Sequence, residues 1–542
     1  MPGEQREISP TLTYDVLVVG AGFAGLYALH RLRGLGCSVR IFEAASDIGG
    51  TWFWNRYPGA RCDIESMQYS YSFSEEIQQE WNWSEYYASQ PEILRYIDFV
   101  ADKLDLRASI QLNTRVTAAH FNEQTSQWEV STDDGERYVT RFLVMATGCL
   151  SIPLEPSFPG LPEFSGEIYR TSDWPHEGIA LQGKHVGLIG TGSSGVQIAP
   201  KLAEQARHLT VFQRTPHYSI PAHNRPLDPE YVRGWKENYK ERRRAARQTR
   251  NSTLNDAGDR SGLEFTWEER EREFARRWEV TGGIGFIYAF PDVTVNDEVN
   301  GHASDFVRRR IASTVRDPAN AAILTPQGYG IGGKRICVDT NYYETFNRQN
   351  VTLVDIRSDP IVQMTPRGIR TKSIEYALDV LVLAIGFDAM TGALTKVEIT
   401  GRGGRTLRDH WKEGPRTYLG LSIAGFPNLF VITGPGSPSV FANMVTSIEQ
   451  HVDWIADCIS AMRDDERITI EATDEAEAAW FAHVNEVGSR TMLAKTGNSW
   501  YVGANVPGKP RVVMPYMGGA ATYMEKIEGV ARDNYSGFRF TR

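Results

Sequence analysis

Two stretches of the chain share one order of apolar and small residues. In the first, an unbroken apolar run at 16–19 precedes Gly20-x-Gly22-x-x-Gly25, an apolar-periodic helix and a second run that ends on Glu43. A continuous apolar run is typical of a strand buried on both faces. The glycines allow a tight turn, close approach of a pyrophosphate and helix packing, and the acid stands where it can bond a ribose hydroxyl. This order predicts a dinucleotide-binding unit.

The second stretch repeats the plan with one change. Gly190-x-Gly192-x-x-Gly195 lies between another apolar run and another helix. The offset that separates the first glycine from the acid in the first unit lands here on Gln213, followed by Arg214. A carboxylate would repel a 2′-phosphate, whereas a guanidinium binds it well. The second unit is therefore predicted to prefer NADP over NAD, the alternative being that Arg214 is a plain surface charge.

Two dinucleotide units imply two dinucleotides. An N-terminal unit with an acid usually holds FAD, and the second unit would hold NADPH, so hydride transfer from nicotinamide to flavin is expected. A disulfide reductase would need a cysteine pair just past the first unit, and only Cys62 is there. Oxygen is therefore the expected electron acceptor. The loop at 49–66 offers Trp52, Trp54 and Tyr57 to stack on a planar ring, the alternative being an aromatic core loop.

The division into domains follows from two further apolar runs, at 141–148 and 379–388, each ending in small residues. They are interpreted as the strands through which the chain leaves the two units. The charged stretch between them, which contains several tryptophans, is interpreted as a helical insertion. The fold class is predicted as α/β, with two Rossmann-like dinucleotide-binding domains and a helical insertion in the NADP domain. The predicted boundaries are 1–148 with 386–542 for the FAD-binding domain, 149–223 with 332–385 for the NADP-binding domain, and 224–331 for the insertion.

Charge and composition narrow the classes of partner. The net charge of -9 over 542 residues argues against a general nucleic-acid or membrane-surface binder. No apolar run approaches the roughly 18 residues that span a bilayer, and the start of the chain has no h-region of a secretory signal. Five scattered cysteines without metal spacing indicate a reducing, cytoplasmic compartment and no metal site. The basic run at 240–250 is interpreted as a solvated helix face, and the chain as a monomer or weak homo-oligomer.

Several longer motifs resemble one family over nearly the whole chain. They are GGTWFWNRYPGARCD, SQPEILRYI, VGLIGTGSSG, VFQRTPH, NYYETFNRQNV, GPRTYLGL, GPGSPS and SWYVGANVPGK. Together they resemble the type I Baeyer–Villiger monooxygenases, closest to the phenylacetone and steroid monooxygenase branch. One motif departs, because the family fingerprint F-x-G-x-x-x-H-x-x-x-W-P reads Phe164-x-Gly166-x-x-x-Arg170-x-x-x-Trp174-Pro175 here. The arginine puts coupling and turnover rate in doubt more than reaction type.

The resemblance implies an NADPH- and O2-dependent FAD enzyme that converts ketones to esters or lactones through a C4a-peroxyflavin and that also oxidises sulfides. It implies that Arg335 is the catalytic cation and Asp63 its partner carboxylate. A fixed cation suits this chemistry because the peroxide and the ketone adduct are both anionic. The alternative for Arg335 is a second phosphate-binding cation beside Lys334.

The resemblance also implies the residues around cofactors and substrate. Those expected at the cofactors are Gly20, Gly22, Gly25, Glu43, Thr51, Trp52, Asp63, Tyr71, Gln90, Gly190, Thr191, Gly192, Ser193, Gly195, Arg214, Thr215, Lys334, Arg335 and Trp500. Those expected at the substrate pocket are Ser439, Val440, Phe441 and Met444, the alternative being a turn filled with core residues.

Two other functions stay open on the sequence. A flavin-containing monooxygenase that oxidises nitrogen or sulfur shares both units, but its fingerprint normally lacks the Trp174-Pro175 ending found here. A poorly coupled NADPH oxidase draws slight support from Arg170. Peroxide released against ester formed, measured with a panel of ketones, separates the three.

Overall fold

The computed structural model describes residues 12–542. Two sheets organise it, a mixed one and a fully parallel one, each built around one glycine turn. The strands are β1 (Leu12–Val19), β2 (Val39–Phe42), β3 (Ile110–Gln111), β4 (Val116–Asn122), β5 (Gln127–Thr132), β6 (Arg137–Met145), β7 (Glu167–Arg170), β8 (His185–Ile189), β9 (His208–Gln213), β10 (Ser219–Pro221), β11 (Cys337–Asp339), β12 (Val351–Asp355), β13 (Ile361–Thr365), β14 (Gly368–Thr371), β15 (Glu375–Ala377), β16 (Val380–Leu383), β17 (Glu398–Thr400), β18 (Leu429–Val431), β19 (Thr469–Ala472) and β20 (Phe538–Thr541).

Helices cover the faces of both sheets and join them. They are α1 (Phe23–Gly34), α2 (Thr51–Trp54), α3 (Glu75–Glu80), α4 (Gln90–Lys103), α5 (Ser193–Gln205), α6 (Pro229–Glu237), α7 (Tyr239–Arg247), α8 (Trp267–Arg276), α9 (Asp297–Thr314), α10 (Pro318–Leu324), α11 (Tyr342–Thr345), α12 (Gly392–Lys396), α13 (Leu407–His410), α14 (Met444–Asp464), α15 (Asp474–Ser489), α16 (Met492–Thr496) and α17 (Ala520–Arg532). Between Leu12 and Arg542, no helix has the length and apolar content needed to cross a bilayer.

The first sheet has the strand order β17-β4-β5-β6-β1-β2-β3, and β18 pairs with β6. Strand β1 is parallel to both β2 and β6, and its apolar residues 16–19 are buried on both sides, as the pattern predicts. Strands β17 and β18 come from late in the chain. The first sheet is thus completed by residues that follow the second sheet in the chain.

The second sheet has the order β12-β9-β8-β16-β7 and all its pairs are parallel. Strand β16 lies beside β8, so the apolar run at 379–388, which contains β16, belongs to this sheet. Each glycine turn follows a central strand at its carboxyl end, where open α/β sheets bind their ligands. The two sheets confirm the predicted fold class.

The segment 224–331 shares the cores of both neighbours. Trp235 and Tyr239 pack into the core that contains α1 and α14. Phe274 and Phe306 pack into the core of the second sheet and α5. The early helices of the segment are thereby attached to the first domain and the later helices to the second.

The basic run at 240–250 is not a fully solvated helix face. Arg243 is buried and donates hydrogen bonds to the carbonyls of Gln68 and Met67 and to the hydroxyl of Ser70. Arg244, by contrast, is exposed. The prediction is therefore wrong for Arg243, whose buried charge is satisfied by backbone and hydroxyl acceptors, as a buried cation requires.

Candidate functional site

A cavity of about 1880 Å³ lies between the two sheets and is bordered by both glycine turns. Most residues expected from the sequence reach it, although they come from distant parts of the chain. Those on its wall are Gly20, Gly22, Glu43, Thr51, Trp52, Asp63, Gly190, Thr191, Gly192, Ser193, Arg214, Thr215, Lys334, Arg335, Val440, Phe441, Met444 and Trp500. A volume of this size exceeds the usual range for a single small ligand, about 300–1000 Å³.

Five expected residues lie behind the wall. Gly25 and Gly195 each pack against the first glycine of their own turn. The Tyr71 hydroxyl donates to the Phe23 carbonyl at 2.6 Å, and the Gln90 amide donates to the Trp52 carbonyl at 2.5 Å. The Ser439 hydroxyl faces the Met390 sulfur at 3.8 Å. These side chains support the site from behind, and their spacing in the sequence does not reveal this.

Glu43 is a buried carboxylate at the end of β2. It accepts the Ala21 N–H at 2.7 Å and the Ala45 N–H at 2.8 Å. Burial raises the pKa of Glu43 even though these N–H groups favour the ionised form. The acid therefore fixes the glycine turn while standing on the cavity wall.

The second turn carries cations instead of an acid. The Thr191 hydroxyl donates to the Thr215 carbonyl at 3.1 Å and so joins the turn to the end of β9. Arg214 is exposed beside it, and Lys334 donates to the Asn498 carbonyl. Burial, reinforced by the charge of Arg214, lowers the pKa of Lys334 to about 8. The two cations are thus close enough to repel each other.

His217 belongs to the same corner and was not singled out from the sequence. Burial, followed by the charge of Lys334, lowers the pKa of His217 to about 4, so the ring is neutral near pH 7. Within the described part of the chain, its Nδ1 atom has no hydrogen-bond partner. Its signal in the sequence is that it ends the motif VFQRTPH, two residues after Thr215.

Arg335 reaches across from the second domain and is held by three acceptors of the first. Its guanidinium donates to the Asp63 carboxylate, to the Val440 carbonyl at 3.1 Å and to the Tyr501 hydroxyl at 3.3 Å. Burial alone would lower the pKa of Arg335, but Asp63 and Tyr501 outweigh it and hold the pKa well above its usual value. The site therefore contains a guanidinium that is held in place and keeps its proton and its positive charge.

The late loop that carries Trp500 closes over this arginine. The Tyr501 ring packs against Phe441 with centroids 4.4 Å apart, and against Trp500 at 3.9 Å. Tyr501 is fully buried. Tyr501 follows Trp500, which the sequence analysis expects at the site, but nothing in the sequence pattern indicates that Tyr501 bonds Arg335.

The arginine of the altered fingerprint forms an ion pair. Arg170, at the end of β7, donates through both terminal nitrogens to the two carboxylate oxygens of Glu155, at 3.2 and 2.9 Å. Both residues border the cavity, and the Glu155 side chain is 78% exposed. The pair joins the linker that leaves the first domain to the first strand of the second.

Comparison with known proteins gives consistent matches over the whole chain. A family model described as flavin-binding monooxygenase-like matches residues 13–225. A Baeyer-Villiger monooxygenase from Pseudooceanicola batsensis is 44% identical, over 96% of this chain and 95% of that protein. A phenazine N-monooxygenase from Lysobacter antibioticus is 42% identical, over 97% and 96%.

A solved structure agrees with this result. The structure of an oxidised steroid monooxygenase bound to NADP matches with a TM-score of 0.94 and 52% identity, covering 98% of this chain and 99% of that one. The similarity extends over both sheets and the segment between them. The family resemblance predicted from the motifs is therefore confirmed.

Proposed function

The chain belongs to the type I Baeyer–Villiger monooxygenases, and from this membership we propose that it binds FAD and NADPH and uses O2 to convert ketones to esters or lactones. The observation that carries the proposal is Arg335, a permanent cation held by three acceptors in the wall of a cavity between two nucleotide units.

The first glycine turn fits a flavin dinucleotide. A Cβ at Gly20 would lie 2.7 Å from the Ala146 carbonyl oxygen, and one at Gly22 would lie 3.4 Å from Gly50 Cα. The glycines thus let the turn pack closely against these backbones, and Gly20 and Gly22 present their own backbone to the cavity, as binding of a phosphate requires. Glu43 would face the ribose, and the N-terminus of α1 would face the pyrophosphate.

The second turn fits a phosphorylated dinucleotide. Arg214 and Lys334 offer two cations in place of the acid, and Arg214 is exposed. Two like charges in one corner are unfavourable until an anion joins them, so the corner suits a 2′-phosphate. We assign these two residues to that phosphate and Trp500 to closure over the bound nucleotide.

The cofactors, when bound, would supply the redox chemistry: a hydride from NADPH and, through the flavin, electrons for O2. The protein's part is electrostatic. Arg335 keeps its charge when partly desolvated, because a guanidinium holds its proton firmly. Aimed into the cavity, it stabilises the negative charge that develops on oxygen when a ketone carbonyl carbon becomes tetrahedral. Asp63 orients the guanidinium, while Val440 and Tyr501 limit its rotation.

The experiment compares Arg335→Ala with wild type. We expect NADPH to reduce the flavin at a rate near that of wild type, while ester formation falls by roughly 10²–10³-fold, the usual cost of losing one electrostatic stabiliser. Arg402→Ala is the matched control, because Arg402 also pairs with a carboxylate, that of Glu471, and neither residue borders the cavity. Retained ester formation in Arg335→Ala would remove this residue from the mechanism.

A second candidate function is oxidation of an aromatic nitrogen. It draws on one observation, a phenazine N-monooxygenase 42% identical over 97% of this chain. Cyclic ketones, aryl ketones and phenazines offered to one preparation separate the two, with products identified by mass. Ester formation as the faster reaction supports the first proposal, and N-oxide formation as the faster one supports the second.

We also propose a cytoplasmic enzyme that is a monomer or a weak homo-oligomer. The five cysteines are free and buried, which agrees with a reducing compartment. Light scattering over a range of protein concentrations tests the oligomeric part of this proposal.

A further inference from the structure

A buried histidine and tyrosine form a hydrogen-bond relay beneath the cavity. His451 lies on α14 and Tyr523 on α17, and neither is exposed to solvent. The Thr433 N–H donates to His451 Nδ1 at 3.0 Å, and His451 Nε2 lies 2.8 Å from the Tyr523 hydroxyl. The Tyr523 hydroxyl in turn donates to the Leu419 carbonyl.

These contacts favour one tautomer of the neutral ring. Because Nδ1 accepts from a backbone N–H, it carries no proton, and the proton of the neutral ring lies on Nε2. Nε2 then donates to Tyr523, whose own proton goes to Leu419. Burial lowers the pKa of His451 to about 3, so the ring stays neutral near pH 7. Every polar atom of the relay is used, which is the condition for a stable buried network.

The two ends of the relay are residues with unusual backbone conformations. Thr433 has φ 52° and Leu419 has φ 60°. A left-handed conformation is strained for a side chain with Cβ, most of all for a β-branched one such as threonine. Such residues persist only where their surroundings hold them, and the relay bonds one backbone group of each. It therefore clamps two strained turns to each other.

The clamped turn leads into the functional site. Thr433 borders the cavity and follows β18. Seven residues later, the Val440 carbonyl accepts from Arg335, and Phe441 packs on Tyr501. We propose that His451 and Tyr523 are positioning residues, which hold the segment 433–441 so that Val440 meets Arg335. This inference rests on the proposed function, in which Arg335 is the catalytic cation.

The experiment uses the flavin-loaded enzyme and two readouts, the visible absorbance and circular dichroism of the flavin, and the peroxide released per NADPH with a ketone present. His451→Phe removes both bonds at similar size. We expect a changed flavin spectrum and a severalfold rise in peroxide per NADPH, because a misplacement of about 1 Å can cost roughly 10²-fold in a positioned reaction. Tyr523→Phe removes one hydroxyl and should change both readouts in the same direction, by less.

A rescue separates positioning from simple packing. Glycine adopts the left-handed region without strain, so Thr433→Gly added to His451→Phe should restore part of the coupling and spectrum. A packing role for the ring predicts no rescue. His208→Phe, which loses a bond to Thr352 at the edge of the second sheet, is the matched control.

The outcomes are distinguishable from failure of the proposed function. If wild type forms no ester, the function is wrong, and the flavin spectrum still reports on the relay. If wild type forms ester while His451→Phe and Tyr523→Phe match it in both readouts, the inference is overturned. Should His451→Phe fail to fold, Tyr523→Phe decides alone, since it retains the ring and loses only one oxygen.

Discussion

The two glycine turns follow one plan but have different surroundings. Gly20 and Gly190 both adopt left-handed φ values, 104° and 109°. A Cβ at Gly22 would meet Gly50 Cα at 3.4 Å, whereas a Cβ at Gly192 would meet nothing within 4 Å. The first turn thus packs against a second stretch of backbone, whereas Gly192 of the second turn faces open space.

The two turns also differ in the charge and burial of the residues beside them. In the first unit, Glu43 is buried and bound to backbone N–H groups. In the second, Arg214 is exposed and Lys334 is half-buried near it. A closed, desolvated groove suits a cofactor that stays bound through many turnovers. An open, cationic groove suits one that arrives and leaves in each. We therefore expect the nucleotide of the first unit to dissociate more slowly than that of the second.

The largest expected effect comes from the same substitution in both turns. A Cβ at Gly25 would clash with the Gly20 carbonyl, and a Cβ at Gly195 with the Gly190 carbonyl. Overpacking of this kind costs about 1–3 kcal/mol or more. We expect Gly25→Ala to lose bound flavin and thermal stability, measured by absorbance and Tm. Gly195→Ala should keep its flavin and lose reduction by NADPH, measured by stopped flow.

Gly34→Ala is the control for both substitutions, because a Cβ there would meet nothing within 4 Å. If Gly195→Ala also lost its flavin, the two units would not be separable in function. The conclusion that each turn serves a different nucleotide would then be wrong.

The next effect concerns the cation that stands in place of the acid. Arg214→Gln should raise KM for NADPH by roughly 10–150-fold, because a hydrogen bond to a charged group contributes about 1.5–3 kcal/mol. KM for NADH should change little. Arg207→Gln, a change at another exposed arginine of the same unit, is the control. Equal changes for both nucleotides would show that Arg214 does not contact the 2′-phosphate.

Features that depend on neighbouring residues in the sequence could be predicted, whereas contacts between distant parts of the chain could not. The turns, their strands and Glu43 could be predicted because periodicity and spacing are local. Arg335 and Asp63 are 272 residues apart, and only the family resemblance paired them. Tyr501 and the burial of Arg243 could not be predicted, because each depends on which surfaces meet after folding.

A smaller effect should appear as a dependence on pH. The pKa of Lys334 is lowered to about 8, by burial and then by Arg214. The amine is charged below that pH and loses its charge as the pH rises through it. KM for NADPH should therefore rise severalfold between pH 7 and pH 9, with KM for NADH flat as the internal control. Lys334→Arg should remove the rise, because a guanidinium stays charged. A parallel rise for NADH would assign the titration to another group.

The smallest effect is expected at the ion pair that joins the two units. Arg170 and Glu155 are partly solvated, and such pairs contribute about 0–1 kcal/mol. Arg170→His and Glu155→Gln should therefore lower ester formed per NADPH by no more than roughly fivefold. Lys184→Gln is the matched control, because Lys184 pairs with Glu167 on the same strand, β7, as Arg170.

The dependence on salt concentration provides a second test of the Arg170–Glu155 ion pair. Charges near the surface are screened over about 10 Å at 0.1 M salt. Raising the salt should therefore bring wild type toward Arg170→His if the ion pair transmits the position of one unit to the other. If both variants match wild type at every salt concentration, the two units do not communicate through this linker. The two units would then have to be coupled through their other contacts, such as those of Arg335 and Lys334.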